Sequence, residues 1–281
     1  MQEFEFQFHD QVFRGKRWGK EGGLPLIALH GWLDNCASFD VLAPQLKNID
    51  MIALDLAGQG QSDHRDHGGA YNIWNDIVEV IAVANSLGWD NFALLGHSRG
   101  AMIATLIAGT FPQRVSHLAL IEAFIPHIVK AEDAPGQMQA AVESLLGMSD
   151  KSGSRFPSFE SAIQAREKGL VPLNHEDATI LAQRGVIEKA GKFSWNYDIK
   201  LNAPSEVKFT REQVIAFVDR ISSDIALILA DDGLSKTFDG MEEIVDMFEK
   251  VKATRMPGYH HLHMSQASVE VAGILNDYFS N

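Results

Sequence analysis

Short, continuous apolar runs separated by segments of helical periodicity restrict the possible folds of this chain more than any other feature. Five such runs occupy residues 24–29, 51–54, 92–95, 118–121 and 225–230. Continuous apolar character indicates strands that are covered on both faces, as in a mainly parallel sheet. Because helical segments alternate with the runs, the sequence predicts an open α/β sheet with right-handed crossovers and helices on its faces.

The segments around these runs have their own periodicities. Apolar residues recur at helical spacing over 73–87 and 101–111, which predicts two helices. Near the N-terminus, phenylalanines alternate with polar residues over 4–8, which is typical of a half-exposed strand, and 12–18 is a plausible antiparallel partner.

The alternation stops between Phe124 and Ser223. This stretch is mostly helical in pattern and contains no obvious buried strand; its predicted helices are 137–146, 159–168, 175–189 and 211–220. After it the sheet resumes with the fifth run, and a helix (241–251), a strand (252–256) and a helix (265–278) follow. We therefore expect a core domain formed by residues 1–123 and 224–281, with a helical cap at 124–223.

Charge and cysteine content narrow the class of protein. The net charge of −13 repels phosphate backbones and anionic membrane surfaces, so neither nucleic acid nor membrane is an expected partner. No stretch reaches the roughly 18 to 20 apolar residues of a membrane span, and residues 1–10 do not have a secretory-signal pattern. The single cysteine, Cys36, excludes a disulfide framework. We expect a cytoplasmic protein that acts on a small molecule; the sequence indicates no oligomeric state.

The motif Gly96-His97-Ser98-Arg99-Gly100 is the sharpest chemical signal. It follows the apolar run 92–95 and opens the helical pattern 101–111, which is the strand-turn-helix setting that a nucleophile elbow requires. Small residues must flank the serine because the turn is sharp. The motif therefore makes Ser98 the candidate nucleophile.

A nucleophilic serine needs a base, and histidines occur at 260, 261 and 263, between the last predicted strand and the last predicted helix. His260 is the candidate base and His261 its substitute, while a structural role is expected for His263. The three imidazoles could instead bind a metal, but no cysteine or acid nearby in the sequence completes a ligand set, so no metal is expected.

The acid that orients the base has two candidate positions. Glu122 follows the run 118–121, and Asp231 and Asp232 follow the run 225–230. Both positions lie at the carboxyl ends of predicted strands, where function concentrates in open α/β sheets. Either position could hold an imidazole in the required tautomer.

The oxyanion of an acyl-transfer reaction needs preorganised donors. The backbone N–H of Arg99, directly after the nucleophile, is one candidate, and the N–H of Trp32, in the loop after the first apolar run, is the other. Gly58 and Gly60 lie in a third loop, but no lysine or completed G-x-G-x-x-G pattern follows, so no nucleotide cofactor is expected.

With these residues identified, the chain resembles the serine hydrolase-like branch of the α/β-hydrolase superfamily. The similar stretches are Leu29-His30-Gly31-Trp32-Leu33-Asp34-Asn35 with Ser38, Phe39 and Leu42 after it, Leu87-Gly88-Trp89, and the HHLHM run at 260–264. The resemblance implies an α/β-hydrolase fold with Ser98 as nucleophile and His260 as base. It also implies a structural role for the D-x-x-G-x-G-x-S loop at 55–62.

One position departs from the family pattern. Members commonly carry the acid in a G-x-x-D pattern, and here Gly233 occupies the place of that aspartate. Some relatives, including a group of haloalkane dehalogenases, carry the carboxylate directly after the preceding strand, and Glu122 resembles that arrangement. The resemblance therefore favours Glu122 over Asp232. The dehalogenases use an aspartate nucleophile, so Ser98 argues for acyl transfer.

These observations predict a serine hydrolase that cleaves a small or medium carboxylic ester without a cofactor. The alternatives are a hydrolase-fold binding protein without turnover, or the same triad acting on an amide, thioester or carbon–carbon bond.

Overall fold

The computed structural model describes residues 1–65, 69–148, 153–238, 240–264 and 267–280. Strands within these ranges are β1 (Gln2–Phe8), β2 (Gln11–Gly19), β3 (Leu24–Leu29), β4 (Ile49–Leu54), β5 (Phe92–His97), β6 (Val115–Ile121), β7 (Val186–Lys189), β8 (Lys192–Trp195), β9 (Ile225–Asp232) and β10 (Val251–Tyr259). The α-helices are α1 (Ile73–Ser86), α2 (Arg99–Thr110), α3 (Ala134–Leu146), α4 (Phe159–Glu167), α5 (His175–Gly185), α6 (Arg211–Arg220), α7 (Met241–Met247) and α8 (Ser268–Phe279).

Eight of the strands form one sheet in the order β1-β2-β4-β3-β5-β6-β9-β10. The pairs β1–β2 and β2–β4 are antiparallel, and every other pair in the sheet is parallel. The five apolar runs lie in β3, β4, β5, β6 and β9. The predicted mainly parallel sheet flanked by helices is confirmed.

Both faces of the central strands are covered, which is why their sequences are continuously apolar. Successive side chains of a strand point to opposite faces, so β3 contributes to two clusters. Ile27 and Leu29 pack in a cluster with residues of α1 and α2, whereas Leu26 and Ala28 pack in a cluster with residues of α8.

The stretch between β6 and β9 is not purely helical. Helix α5 ends at Gly185, and the residues after it form the β7–β8 hairpin, so the predicted helix 175–189 is wrong beyond residue 185. The two-residue turn at Ala190 and Gly191 has φ values of 52° and 69°, as the favoured hairpin turn requires. Apolar periodicity indicated the helix but gave no sign of this turn.

Helix α6 packs against the sheet domain although it lies in the stretch predicted as a cap. Val214 and Val218 are fully buried members of the cluster that covers β3 and β5. The division into a core of residues 1–123 and 224–281 and a cap of residues 124–223 remains a prediction.

Other boundaries also differ from the sequence analysis. Helix α7 ends at Met247, short of the predicted residue 251, and β10 is longer than the predicted 252–256. Helix α8 begins at Ser268, and the predicted start at residue 265 lies outside the described residues. No helix in the described ranges combines the length and apolar character needed to cross a bilayer.

The candidate site residues lie at the carboxyl ends of parallel strands. Ser98 directly follows β5, Glu122 directly follows β6, and His260 directly follows β10. The loop that contains Trp32 follows β3. Because parallel strands end at the same edge of a sheet, these four segments meet there.

Candidate active site

Ser98 occupies a strained turn between β5 and α2. Its φ and ψ are 51° and −116°, a conformation that residues other than glycine rarely adopt. The Ser98 N–H donates to the Ile121 carbonyl over 2.9 Å, and the Ser98 carbonyl accepts from the Ala101 N–H over 2.9 Å. Strain of this kind persists only where the surroundings enforce it, and it is frequent at active sites. The geometry is that of the nucleophile elbow expected from the sequence.

The two glycines of the motif are required by close backbone contacts. A Cβ atom on Gly96 would overlap the backbone of Ala101, and a Cβ atom on Gly100 would overlap the carbonyl oxygen of Leu29. Residues at both positions must therefore lack a side chain for β5 to turn directly into α2 beside β3.

His260 and Glu122 form a buried pair. The Nδ1 atom of His260 lies 2.9 Å from Oε2 of Glu122, and Oε1 of the same carboxylate accepts from the Ala230 N–H over 2.6 Å. Because a carboxylate only accepts, Nδ1 carries the proton of the neutral imidazole, and Nε2 is left as an acceptor. Glu122 has a φ of 65°, so it is a second strained residue at this sheet edge.

Gly233 leaves room for the Glu122 carboxylate. A Cβ atom at position 233 would overlap the carboxyl group of Glu122. The alternative acid Asp232, like Asp231, is exposed at the end of β9, whereas Glu122 is fully buried. The glycine that departs from the family pattern and the carboxylate at the end of β6 therefore occupy complementary positions.

A cavity of about 420 Å³ lies over this edge of the sheet, and Ser98 and His260 both line it. The loop after β3 contributes Gly31 and Trp32, and the stretch between β6 and β9 contributes His127 and several residues between Arg166 and Ser205. Such a volume is within the range of sites for small molecules.

The two proposed oxyanion residues border this cavity. The Arg99 guanidinium is buried and donates to Asp76 over 2.7 Å and to the Tyr71 carbonyl over 3.2 Å, so its charge is paired with an acid. The Trp32 indole N–H donates to the Leu201 carbonyl over 2.9 Å. The roles of the two backbone N–H groups remain predictions.

Sequence reasoning missed a network next to Ser98 and His260. The Nε2 atom of His261 lies 2.9 Å from Oδ2 of Asp34, and Arg166 donates to Oδ1 of Asp34 over 2.9 Å. His97 donates from Nε2 to the carbonyl of His260 over 3.0 Å. His97 was visible as the second residue of the elbow motif and Asp34 as part of the loop after the first run, but nothing in the sequence pointed to Arg166.

The position of Asp34 corrects the statement that no acid lies near the histidines to complete a metal-ligand set. Asp34, His97 and His261 offer one ligand atom each, all within 4.8 Å of one another, so an acid does lie close to the histidines in space. Both oxygens of Asp34 already have partners, however, and one partner is the cationic Arg166. The arrangement is that of a hydrogen-bonded network which orients the loop after β3 and the loop after β10.

The buried histidines predict a loss of stability in acid. Burial lowers the pKa of His263 to about 3, and burial likewise lowers the pKa values of His97 and His261. The unfolded chain binds these protons at about pH 6.5, so between that pH and the folded pKa it holds more protons than the native state. The free energy of unfolding therefore rises with pH in this window and falls on acidification.

His263→Phe should weaken this dependence. Removal of one such histidine is expected to reduce the slope of unfolding free energy against pH by up to about 1.4 kcal/mol per pH unit between about pH 6 and 4. Urea unfolding at several pH values measures the slope, whatever the variant's absolute stability. A slope equal to that of the unmodified protein would show that His263 does not titrate on unfolding.

Comparisons with known proteins agree with this geometry. Residues 25–151 match the family described as alpha/beta hydrolase fold. The serine hydrolase-like protein of Danio rerio is 29% identical over 277 residues, which cover 94% of this chain and 84% of that protein. A serine hydrolase-like protein of Homo sapiens is 35% identical over 159 residues, which cover 55% of this chain and 78% of that protein.

A solved structure is similar over the full length. It is that of a hypothetical protein from Pseudomonas aeruginosa, with a TM-score of 0.95, 34% identity and coverage of 100% of both chains. These similarities support a hydrolase function. The chain belongs to the α/β-hydrolase superfamily, in its serine hydrolase-like branch.

Proposed function

We propose that the chain is a serine hydrolase that cleaves a small or medium carboxylic ester through an acyl-enzyme on Ser98. One observation carries the proposal: a strained serine at the end of β5 and a carboxylate-bound imidazole at the end of β10 line the same cavity. A nucleophile, a base and an orienting acid are the minimum that acyl transfer by serine requires.

The proposed reaction begins when the Ser98 hydroxyl attacks the ester carbonyl while Nε2 of His260 takes its proton. The backbone N–H groups of Trp32 and Arg99 stabilise the oxyanion, and the loss of one such donor costs on the order of 10² to 10³ in rate. His260 then donates the proton to the departing alcohol. Water, deprotonated by the same imidazole, attacks the acyl-enzyme and releases the carboxylic acid and Ser98.

Glu122 is the proposed acid of the triad. Its bond to Nδ1 leaves Nε2 free to accept the serine proton, and its charge stabilises the imidazolium that forms during attack. The second bond, from the Ala230 N–H, holds the carboxylate in this orientation. The exposed position of Asp232 supports Glu122 over that alternative.

We also propose that residues 124–223 cap the site on the core formed by residues 1–123 and 224–281. Support comes from the lining of the catalytic cavity, to which this stretch contributes Arg166, Leu170, Leu201 and Pro204. Substrate selection would then depend largely on side chains of the cap.

Labelling with a fluorophosphonate tests the proposed nucleophile. The unmodified protein should gain one covalent adduct on Ser98 in intact-mass and peptide analysis, because the reagent captures a serine that an adjacent imidazole activates. Ser98→Ala should gain none under the same conditions. Equal labelling of both proteins would remove Ser98 as the nucleophile, and no labelling of either would favour a binding protein without turnover.

A further inference from the structure

A second cavity adjoins the catalytic one. Its volume is about 270 Å³, and we call it the side chamber; its lining residues are Trp32, Leu33, Gly153, Ser154, Phe156, Ala165, Arg166, Gly169, Leu170, Val171, Trp195 and Tyr197. Four of these residues, Trp32, Arg166, Leu170 and Val171, also line the catalytic cavity. The two cavities therefore meet along a common boundary.

The wall of the side chamber is mainly apolar. Leu33, Phe156, Val171 and Trp195 are half-buried, and Leu170 at the boundary is 83% exposed. Large apolar side chains grouped around a concave surface mark a site for an apolar group. Filling the chamber with such a group would remove these surfaces from water.

The wall is held in place by bonds that do not depend on a ligand. The Trp195 indole donates to the Ala162 carbonyl of α4 over 3.1 Å, and Phe156 and Phe193 exchange backbone hydrogen bonds of 2.7 and 2.9 Å. Arg166 donates to the Val171 carbonyl over 2.7 Å. The chamber is thus preformed, which lowers the entropy lost on binding.

The charges at the boundary between the two cavities favour an uncharged ligand group in the side chamber. Arg166 is the cationic side chain that lines both cavities, and the carboxylate of Asp34 lies 2.9 Å from its Nη2 atom. The Arg166 charge is therefore already paired, and an anionic chain would find little net attraction there.

The acyl group and the alcohol group of a bound ester can be distinguished by their positions relative to the proposed triad. The departing alcohol must lie next to His260, because His260 donates its proton to that oxygen. His260 lines the catalytic cavity but is not among the residues of the side chamber, whereas Trp32, a proposed oxyanion donor, lines both. The part of the ester that enters the side chamber is consequently the acyl group.

We infer that the side chamber binds the alkyl chain of the acyl group, so the preferred substrates are esters of unbranched, uncharged carboxylic acids of medium length. This inference rests on the proposed ester hydrolysis and specifies its substrate class. The chamber would supply binding energy for each methylene that leaves water, until the available volume is filled.

The experiment is a series of p-nitrophenyl esters whose acyl chains run from acetyl to dodecanoyl. With the unmodified protein, kcat/KM should rise by up to about fourfold per added methylene and then level off. A flat series with measurable acetate hydrolysis would overturn the side-chamber inference and leave the proposed function intact. No hydrolysis of any ester, acetate included, would overturn both.

Ala165→Leu adds volume to the chamber wall and has a matched control. Ala165 is an exposed alanine of α4 that lines the chamber, and Ala140 is an exposed alanine of α3 that lines neither cavity. Ala165→Leu should lower kcat/KM at least tenfold for the longest acyl chains that the unmodified protein prefers and so move the preference to shorter chains. Ala140→Leu, outside both cavities, should leave the rates for all chain lengths unchanged.

Two results of this comparison would contradict the inference. Equal chain-length profiles for Ala165→Leu and Ala140→Leu would show that acyl chains do not enter the chamber. In a parallel series of alkyl acetates, in which only the alcohol is lengthened, kcat/KM should show no comparable rise. A rise in kcat/KM in that series and not in the acyl series would assign the chamber to the alcohol group.

Discussion

Replacement of Ser98 by alanine is expected to lower kcat on a p-nitrophenyl ester by about 10⁵- to 10⁶-fold, since the covalent pathway is lost entirely. A small residual rate should remain, because the proposed oxyanion donors, the backbone N–H groups of Trp32 and Arg99, are not altered by the substitution. The measurement is the initial rate at saturating substrate, with the uncatalysed rate subtracted.

Folding of Ser98→Ala must be checked because the residue is strained. Alanine also disfavours a φ of 51°, so the backbone strain persists and the variant should unfold at a temperature close to that of the unmodified protein. A well-folded Ser98→Ala protein that keeps more than about a tenth of the activity would contradict the proposed mechanism.

Glu122→Gln is expected to lower kcat by about 10⁴-fold, as loss of charge does in an aspartate-containing triad. The amide can offer a donor to Nδ1, which stabilises the tautomer with its proton on Nε2, and that imidazole cannot accept the proton of Ser98. Asp232→Asn is the matched control: its carboxylate is exposed at the end of β9, so kcat should change by less than about twofold. The reverse pattern would assign the acid to Asp232.

Position 233 offers a stronger form of this test. Gly233 has an extended backbone, with φ and ψ of −84° and 174°, so an aspartate is compatible with its conformation. Gly233→Asp alone should lower activity, because its side chain would overlap the Glu122 carboxyl group. Together with Glu122→Ala, which empties that space, it should restore part of the activity that Glu122→Ala loses.

The double variant should therefore be more active than Glu122→Ala alone, and more active than the two separate losses together predict, a non-additivity expected of groups that share one site. kcat/KM for the four proteins of the cycle gives the interaction directly. Additive losses of activity in the cycle would show that an aspartate at position 233 cannot replace the carboxylate of Glu122.

Local pattern determined the framework of this protein. The five apolar runs became β3, β4, β5, β6 and β9 because a strand covered on both faces must be apolar throughout. The same local logic fails at the β7–β8 hairpin, where the conformation of Ala190 and Gly191 ends a helical pattern. Boundaries such as the end of α7 also depend on the neighbouring strand, since Val251 pairs with Ile225 in β10 and β9.

The sequence by itself also identified Ser98 and two candidate positions for the acid, because each follows an apolar run that predicts a buried strand. It identified His260 because that residue lies between the last predicted strand and the last predicted helix. The tertiary structure decided which acid meets the imidazole: Glu122 lies 2.9 Å from His260 although 138 residues separate them in the chain. It alone also revealed Asp34 and Arg166 behind the site and the side chamber under Trp195. These hydrogen bonds and cavity walls form between residues that are distant along the chain. Local periodicity predicts helices and strands, but it does not predict which distant residues will be in contact.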